Sequence, residues 1–309
     1  MEKTNKRPII IDTDPGIDDA MALAAALFSK ELDVQLLTTV AGNVSLEKVT
    51  RNLLRLLTFW DLKIPVTKGA SQPLLRAARD ASEVHGESGL AGFDFPDGNQ
   101  ENLLPESAVA AMRRVLIAAT EPVTIVALAP LTNLALLLRE YPEAKEKIAE
   151  IVMMGGALGR GNFGAYTEFN IGVDPEAARI VFDSGLKLTM VPLEMGSIAK
   201  IYPEESQKMA SLNQTGRMLY SLLQHYRSGS LDSGLEMYDS TVIAYLLNPS
   251  MFTVEKLSVQ IETQGAYTAG ATIVDLAGFY QEPANCQVCV NLDSTKFSTW
   301  LLAALANCP

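Results

Sequence analysis

A chain of 309 residues, 48% of them hydrophobic, can bury a substantial core and is of ordinary size for a single α/β domain. Its net charge of −11, with no clustered Lys and Arg, excludes a phosphate-tracking surface, so a small molecule and no nucleic acid is the expected partner. No uninterrupted apolar run approaches the ~20 residues of a membrane span, so no membrane partner is expected. The polar start MEKTNKRP leads into a strand with no apolar signal region, and residence in the cytoplasm is the resulting expectation.

The first patterned stretch is IIIDTDPGIDDA, residues 9–20. Three β-branched residues predict a buried strand, Pro15-Gly16 a turn, and the apolar run 21–28 a helix. Asp12, Asp14, Asp18 and Asp19 crowd this strand end and repel one another at neutral pH unless something positive sits among them. A hard divalent cation, which prefers oxygen ligands, is the natural candidate. Helix capping accounts for Asp18 and Asp19 but leaves Asp12 and Asp14 unexplained. An EF-hand loop counted from Asp12 fails, because its fifth position is Gly16 and its twelfth is Leu23. A phosphotransferase of the haloacid-dehalogenase type, with Asp12 as nucleophile, matches the D-x-D but meets Pro15-Gly16 where Gly-Thr is usual.

A second buried strand is predicted over 33–41, a helix from an N-cap at Ser45 to about Trp60, and a short strand over 64–66. This alternation predicts a mostly parallel sheet with helices on both faces. Ligands of such sheets bind beyond the carboxyl ends of the strands, where Asp12, Asp14 and Asn43 all fall. Residues 69–105 lack regular pattern, and long loops of this kind are usually functional or disordered. They contain HGESGLAG, 85–92, with His85, one of only two histidines.

A helix over 106–118, a strand over 123–128 and a strand over 151–154 follow. The last opens onto GRGNFG, 159–164, which spells G-x-G-x-x-G, but no helix begins there, so a dinucleotide site is rejected. The segment reads as a polar loop carrying Asn162, Glu168 and Asn170, side chains able to match the hydroxyls of a sugar. Residues 186–192 are the last strand expected in the main sheet. Helices over 204–212 and 216–226 and one ending at 247 come next. Strands over 254–263, 271–276 and 287–292 predict a small antiparallel C-terminal addition, closed by a helix over 294–306. Without linker, repeat or low-complexity tract, 1–309 reads as one domain. Cys286 and Cys289 form C-x-x-C within a predicted strand, so they face opposite sides, and no second Cys/His pair lies near; both are expected to be packing residues.

DTDPGIDDA resembles the signature of the inosine-uridine-preferring nucleoside hydrolases. HGESG, the GN…EFNI…DPEAA pattern across 161–178, RSGS at 227–230 and SGLEM at 233–237 follow in order. The likeness is nearest to the bacterial broad-specificity ribonucleoside hydrolases. It implies Ca²⁺-dependent hydrolysis of the N-glycosidic bond of free ribonucleosides to ribose and base, in a homodimer or homotetramer. It also implies that Asp14, Asp19, Asp239 and the backbone carbonyl of Leu128 hold Ca²⁺ and that Asp14 is the general base. Asp18, Asn43, Asn162, Glu168 and Asn170 would hold the ribose, with His85 beside the base. The chain departs from the family at Tyr238, where many members have a His before the last metal-binding Asp. A phenol titrates near ~10 and an imidazolium near ~6.5, so Tyr238 is a hydrogen-bond donor but a much weaker acid. Tyr238, His85 and His225 stand as alternatives for protonating the leaving group. A nucleoside- or ribose-binding protein with reduced or lost turnover is the second reading.

Overall fold

The computed structural model describes residues 6–226, 230 and 232–309; Arg227, Ser228 and Gly229 of the RSGS motif lie outside them. In chain order the elements are β1 (Arg7–Thr13), α1 (Ile17–Leu27), β2 (Leu32–Thr39), α2 (Leu46–Phe59), β3 (Val66–Lys68), α3 (Ser82–His85), β4 (Leu103–Ser107), α4 (Ala108–Ala118), β5 (Val123–Ala127) and α5 (Thr132–Glu140). Then come β6 (Ile148–Met154), α6 (Phe169–Val173), α7 (Pro175–Phe182), β7 (Leu188–Val191), α8 (Leu193–Ile198), β8 (Lys200–Ile201), α9 (Pro203–Leu212) and α10 (Gln214–Leu223). The chain ends with β9 (Leu235–Glu236), α11 (Asp239–Leu247), β10 (Phe252–Leu257), β11 (Val259–Ile261), β12 (Thr272–Val274), β13 (Cys286–Leu292) and α12 (Ser294–Leu305).

Nine strands form one sheet in the order β10-β13-β7-β6-β5-β1-β2-β3-β4. Every neighbouring pair is parallel except β10 with β13. β1 is central, and Ile9, Ile10 and Ile11 are fully buried because helices cover both faces of the sheet. Met21, Leu53, Val242 and Phe297, from α1, α2, α11 and α12, pack on one face. Met112, Leu134 and Val181, from α4, α5 and α7, pack on the other. The chain leaves β1 toward β2, β3 and β4, then returns to place β5 on the opposite side of β1. Connections therefore diverge between β1 and β5, opening a crevice beyond their carboxyl ends. Among the described residues, no helix is long and apolar enough to cross a membrane.

The C-terminal strands differ from the expected addition. β13 joins the main sheet in parallel with β7, and β10 closes the edge antiparallel to it. Of these C-terminal strands β11 and β12 form a separate antiparallel pair, as β8 and β9 do earlier in the chain. The reason lies in β13 itself: Cys286 and Val288 enter one core while Cys289 and Leu292 enter the other, so both its faces need cover. The two cysteines thus face opposite sides as expected, and burial pushes both thiols up to about 12, away from reactivity. β4, within the patternless stretch, was not expected. α1 begins at Ile17 rather than four residues later, which places Asp18 and Asp19 in its first turn, where the helix dipole favours negative charge.

Asn133 in α5 ties the strand ends together. Its Nδ2 donates to Asp12 Oδ1 (2.8 Å) and to the Thr39 carbonyl (3.1 Å), and its Oδ1 accepts from the Ala70 N–H (2.8 Å). In Asn133→Leu, Asp12 Oδ1 keeps the Thr38 hydroxyl and the Thr39 carbonyl keeps the Gly69 N–H, so the half-buried Ala70 N–H is the group left unpaired, and the fold is expected to lose about 1 kcal/mol. Urea unfolding monitored by far-UV circular dichroism measures it; an unchanged midpoint would show that the tie carries no stability.

Candidate active site

Five carboxylates meet at the crevice. Asp12 and Asp14 come from the end of β1, Asp18 and Asp19 from the first turn of α1, and Asp239 opens α11; all are buried. Asp19 Oδ1 accepts from Thr13 Oγ1 (2.6 Å), and its Oδ2 accepts from the Gly16 N–H (3.0 Å) and Asn43 Nδ2 (3.0 Å). Asp14 Oδ2 accepts from the Asn43 N–H (2.7 Å). Asp18 Oδ2 accepts from the N–H groups of Tyr238 (2.8 Å) and Asp239 (3.2 Å), which couples α1 to the entry of α11. Gly42 permits this closeness, because a Cβ there would lie 2.0 Å from Asp14 Oδ2.

Burial pushes every one of these acids up: Asp12 and Asp18 to about 7, Asp19 upward, and Asp14 and Asp239 well above the usual range. After burial, the Asp19 charge is the next largest cause for both Asp14 and Asp239. Three buried oxygens, Asp12 Oδ2, Asp14 Oδ1 and Asp18 Oδ1, have no hydrogen-bond partner. Unpartnered carboxylate oxygens in a desolvated acidic cluster are the chemistry that a hard divalent cation satisfies. Among the described residues, no three His, Cys, Asp or Glu side chains already close on a common point, so the fit is one of donor type and charge.

A cavity of about 380 Å³ opens beside the acids, with Asp18, Asp239 and Asn43 on its wall. Asp14 and Asp19 stand one side chain behind that wall, bonded to Asn43. Asp12 is held by Thr38 Oγ1 (2.5 Å) and Asn133 and is not on the cavity wall. Glu168 caps α6, accepting from the N–H groups of Asn170 (2.9 Å), Gly156 (2.9 Å) and Ile171 (3.2 Å), yet burial still raises its carboxyl to about 7. Asn170 Nδ2 donates to the carbonyls of Leu128 (3.0 Å) and Met154 (3.1 Å). Asn162 Oδ1 accepts from the Phe169 N–H (2.9 Å). The structure brings Asp18, Asn43, Leu128, Asn162, Glu168 and Asn170 to one cavity.

The three candidate proton donors separate. His85 lines the cavity, 5.4 Å from the Tyr226 ring between centroids, but its Nδ1 accepts the Ile17 N–H (3.1 Å). The ring is therefore neutral with its proton on Nε2, and burial lowers it to about 4. His225 is exposed, packs against Gly92 and is not on the cavity wall. Tyr238 is on the wall, but its hydroxyl donates to Glu236, and burial, then that carboxylate, raises its pKa further. Sequence reasoning missed Glu236, because β9 ends at Glu236 and Tyr238 already has helical backbone at the entry to α11, so no strand periodicity pairs them. It also missed Arg79 and Phe163, for which the patternless loops carry no signal.

The sequence pattern of the inosine-uridine preferring nucleoside hydrolases matches residues 9–299. The chain belongs to that family. RihC of Salmonella enteritidis, a non-specific ribonucleoside hydrolase, is 54% identical over 97% of this chain and 98% of its own length. RihC of Salmonella typhimurium is equally similar. Among solved structures, the purine-preferring ribonucleoside hydrolase of Gardnerella vaginalis has a TM-score of 0.89 at 28% identity, covering 97% of this chain and 98% of that one. A plant nucleoside hydrolase has a TM-score of 0.89 at 30% identity, covering 97% and 99%. The family's fold thus covers 97% of this chain.

Without a cation the raised carboxyls set the pH response of the fold. Asp12, Asp18 and Glu168 stay neutral in the native state up to about 7, but ionise near their ordinary values of 3.8 to 4.5 once unfolded. Their contribution to stability is thus present at low pH and lost as the pH rises through about 7. Chelated protein is expected to melt at a lower temperature at pH 8 than at pH 5. Added divalent cation should raise the midpoint more at pH 8. A chelated midpoint that climbs over this interval would contradict the reading.

Proposed function

We propose that the chain hydrolyses the N-glycosidic bond of free ribonucleosides, releasing ribose and base, with Ca²⁺ as its metal. The observation that carries this is the convergence of Asp18 and Asp239, from separate elements, with Asn43, Glu168 and Asn170 on one cavity wall, in a chain that belongs to the nucleoside hydrolase family. Relatives named as ribonucleoside hydrolases at 54% identity favour turnover over a protein that only binds nucleosides. Residence in the cytoplasm and assembly as a homodimer or homotetramer belong to the same proposal.

Asp14, Asp19, Asp239 and the Leu128 carbonyl would hold Ca²⁺, which when bound supplies the positive charge that keeps these acids ionised and acidifies a water molecule. Asp14 acts as the general base. The Asn43 N–H holds its Oδ2, which leaves Oδ1 free to take the proton. Asp18, Asn43, Glu168 and Asn170 hold the ribose hydroxyls and fix the ring before the bond breaks. Positive charge develops on the sugar in the oxocarbenium-like transition state, and a wall rich in carboxylates stabilises it. Tyr238 stands on that wall in the position of the leaving-group donor, but its hydroxyl is given to Glu236.

Ribose release from inosine, uridine, cytidine and adenosine, with and without a calcium chelator, tests the proposal. Release is expected from at least one nucleoside, to vanish on chelation and to return with Ca²⁺. Asp14→Asn is expected to lower kcat by about 10²- to 10⁴-fold, the usual weight of a general base. No release from any of the four by Ca²⁺-loaded protein would sink the proposal.

A further inference from the structure

When the N-glycosidic bond breaks, its electron pair goes to the base, so a cavity must protonate the leaving group or stabilise it as an anion. The first route is poorly served here. His85 is neutral, with Nδ1 accepting the Ile17 N–H, so it is no imidazolium acid; His225 is off the cavity wall; the Tyr226 hydroxyl is hydrogen-bonded to Asp18 and the Tyr238 hydroxyl is given to Glu236. Among the described residues one Lys or Arg side chain lines the cavity, Arg79. Its guanidinium lies over the ring of Phe163, 4.0 Å from the centroid, and Phe163 lines the same cavity. Phe163 is braced edge-on by Phe169, with centroids 5.1 Å apart.

The segment that delivers Arg79 is fixed on both sides. Before it, the Leu74 N–H donates to Asp174 Oδ2 (2.8 Å), and Arg76 donates to both Glu176 oxygens (2.7 and 3.0 Å) and to the Thr263 carbonyl (2.7 Å). After it, the Ala81 N–H donates to the Asn43 carbonyl (3.0 Å), next to the acid cluster. The adjacent Asp80 carboxylate accepts from Ser82 N–H and Oγ. Cation–π attraction to a ring does not use up the guanidinium N–H groups, which stay available to an acceptor in the cavity.

We propose that Arg79, steadied by Phe163, binds the departing nucleobase and stabilises its negative charge, taking the place of a proton donor. The proposal rests on the hydrolase reading above. Water adds to C1′ and gives its proton to Asp14, the C1′–N bond breaks, and its electron pair stays on the base nitrogen. The base leaves as an anion against the guanidinium and takes a proton from solvent on release. Arg79 cannot itself be the acid, because a guanidinium does not deprotonate in proteins.

The test compares inosine with p-nitrophenyl β-D-ribofuranoside, whose phenolate leaves without assistance. Arg79→Met is expected to lose about 10- to 100-fold in kcat on inosine, the scale for removing one charge-stabilising donor. On the p-nitrophenyl riboside it should stay within about twofold, which also shows that the variant is folded and that its ribose site is intact. Arg79→Lys should fall between, and added guanidinium should restore part of the inosine activity of Arg79→Met. Equal losses on both substrates, or an unchanged rate on inosine, would overturn the proposal. Wild-type protein that turns over neither substrate would instead defeat the hydrolase reading itself.

Discussion

Five buried carboxylates gathered around one strand end are the constraint on which the rest of the structure depends. Among the described residues none of them has an ion pair, and three of their oxygens have no hydrogen-bond partner. Such a cluster is held only because surrounding groups donate to it from every side: Thr13 and Thr38 hydroxyls, the amides of Asn43 and Asn133, and N–H groups of Gly16, Tyr238 and Asp239. These donors belong to β1, β2, the turn before α2, α5 and the entry to α11. The acid cluster is thus the point through which the sheet and both helix layers are coupled.

The sheet topology explains why the acids meet at a cavity. β1 and β5 are neighbours whose connections run apart, and the acids lie at the end of β1 while Leu128 follows the end of β5. The wall then combines two chemistries. Carboxylates and amides of Asp18, Glu168, Asn43 and Asn170 suit a sugar that becomes positive. Rings and a guanidinium from three separate segments, His85 and Arg79, Phe163, and Tyr226, suit a planar group that becomes negative. The neutral His85 fits this division, because its Nδ1 serves the helix N-terminus rather than a proton transfer.

Much of the acid cluster was legible in the sequence because its members are close in the chain. Asp12, Asp14, Asp18 and Asp19 span eight residues, and acids at the end of an apolar strand have few structural reasons to be there. Glu168 and Asn170 were legible as sugar-type side chains in a loop. Asp239 and Leu128 were reachable only through resemblance to the family, since an Asp opening a helix and a backbone carbonyl have no signature of their own. His225 looked equivalent to His85 as one of two histidines, and only the fold separates them: one is buried against α1, the other exposed beside Gly92.

The local pattern of residues therefore determined the central strand, the alternation of strands and helices, and the clustering of charge at a strand end. These follow from side-chain periodicity and from short-range repulsion, both readable along the chain. Tertiary structure alone decided that β13 and β10 extend the main sheet, because the partner of a strand buried on both faces is far away in sequence. It also decided the state of each polar group: His85 is neutral because an N–H contributed from 68 residues away occupies its Nδ1. Glu236 takes the Tyr238 hydroxyl and Phe163 carries Arg79 for the same reason, that hydrogen bonding and stacking depend on distances in space.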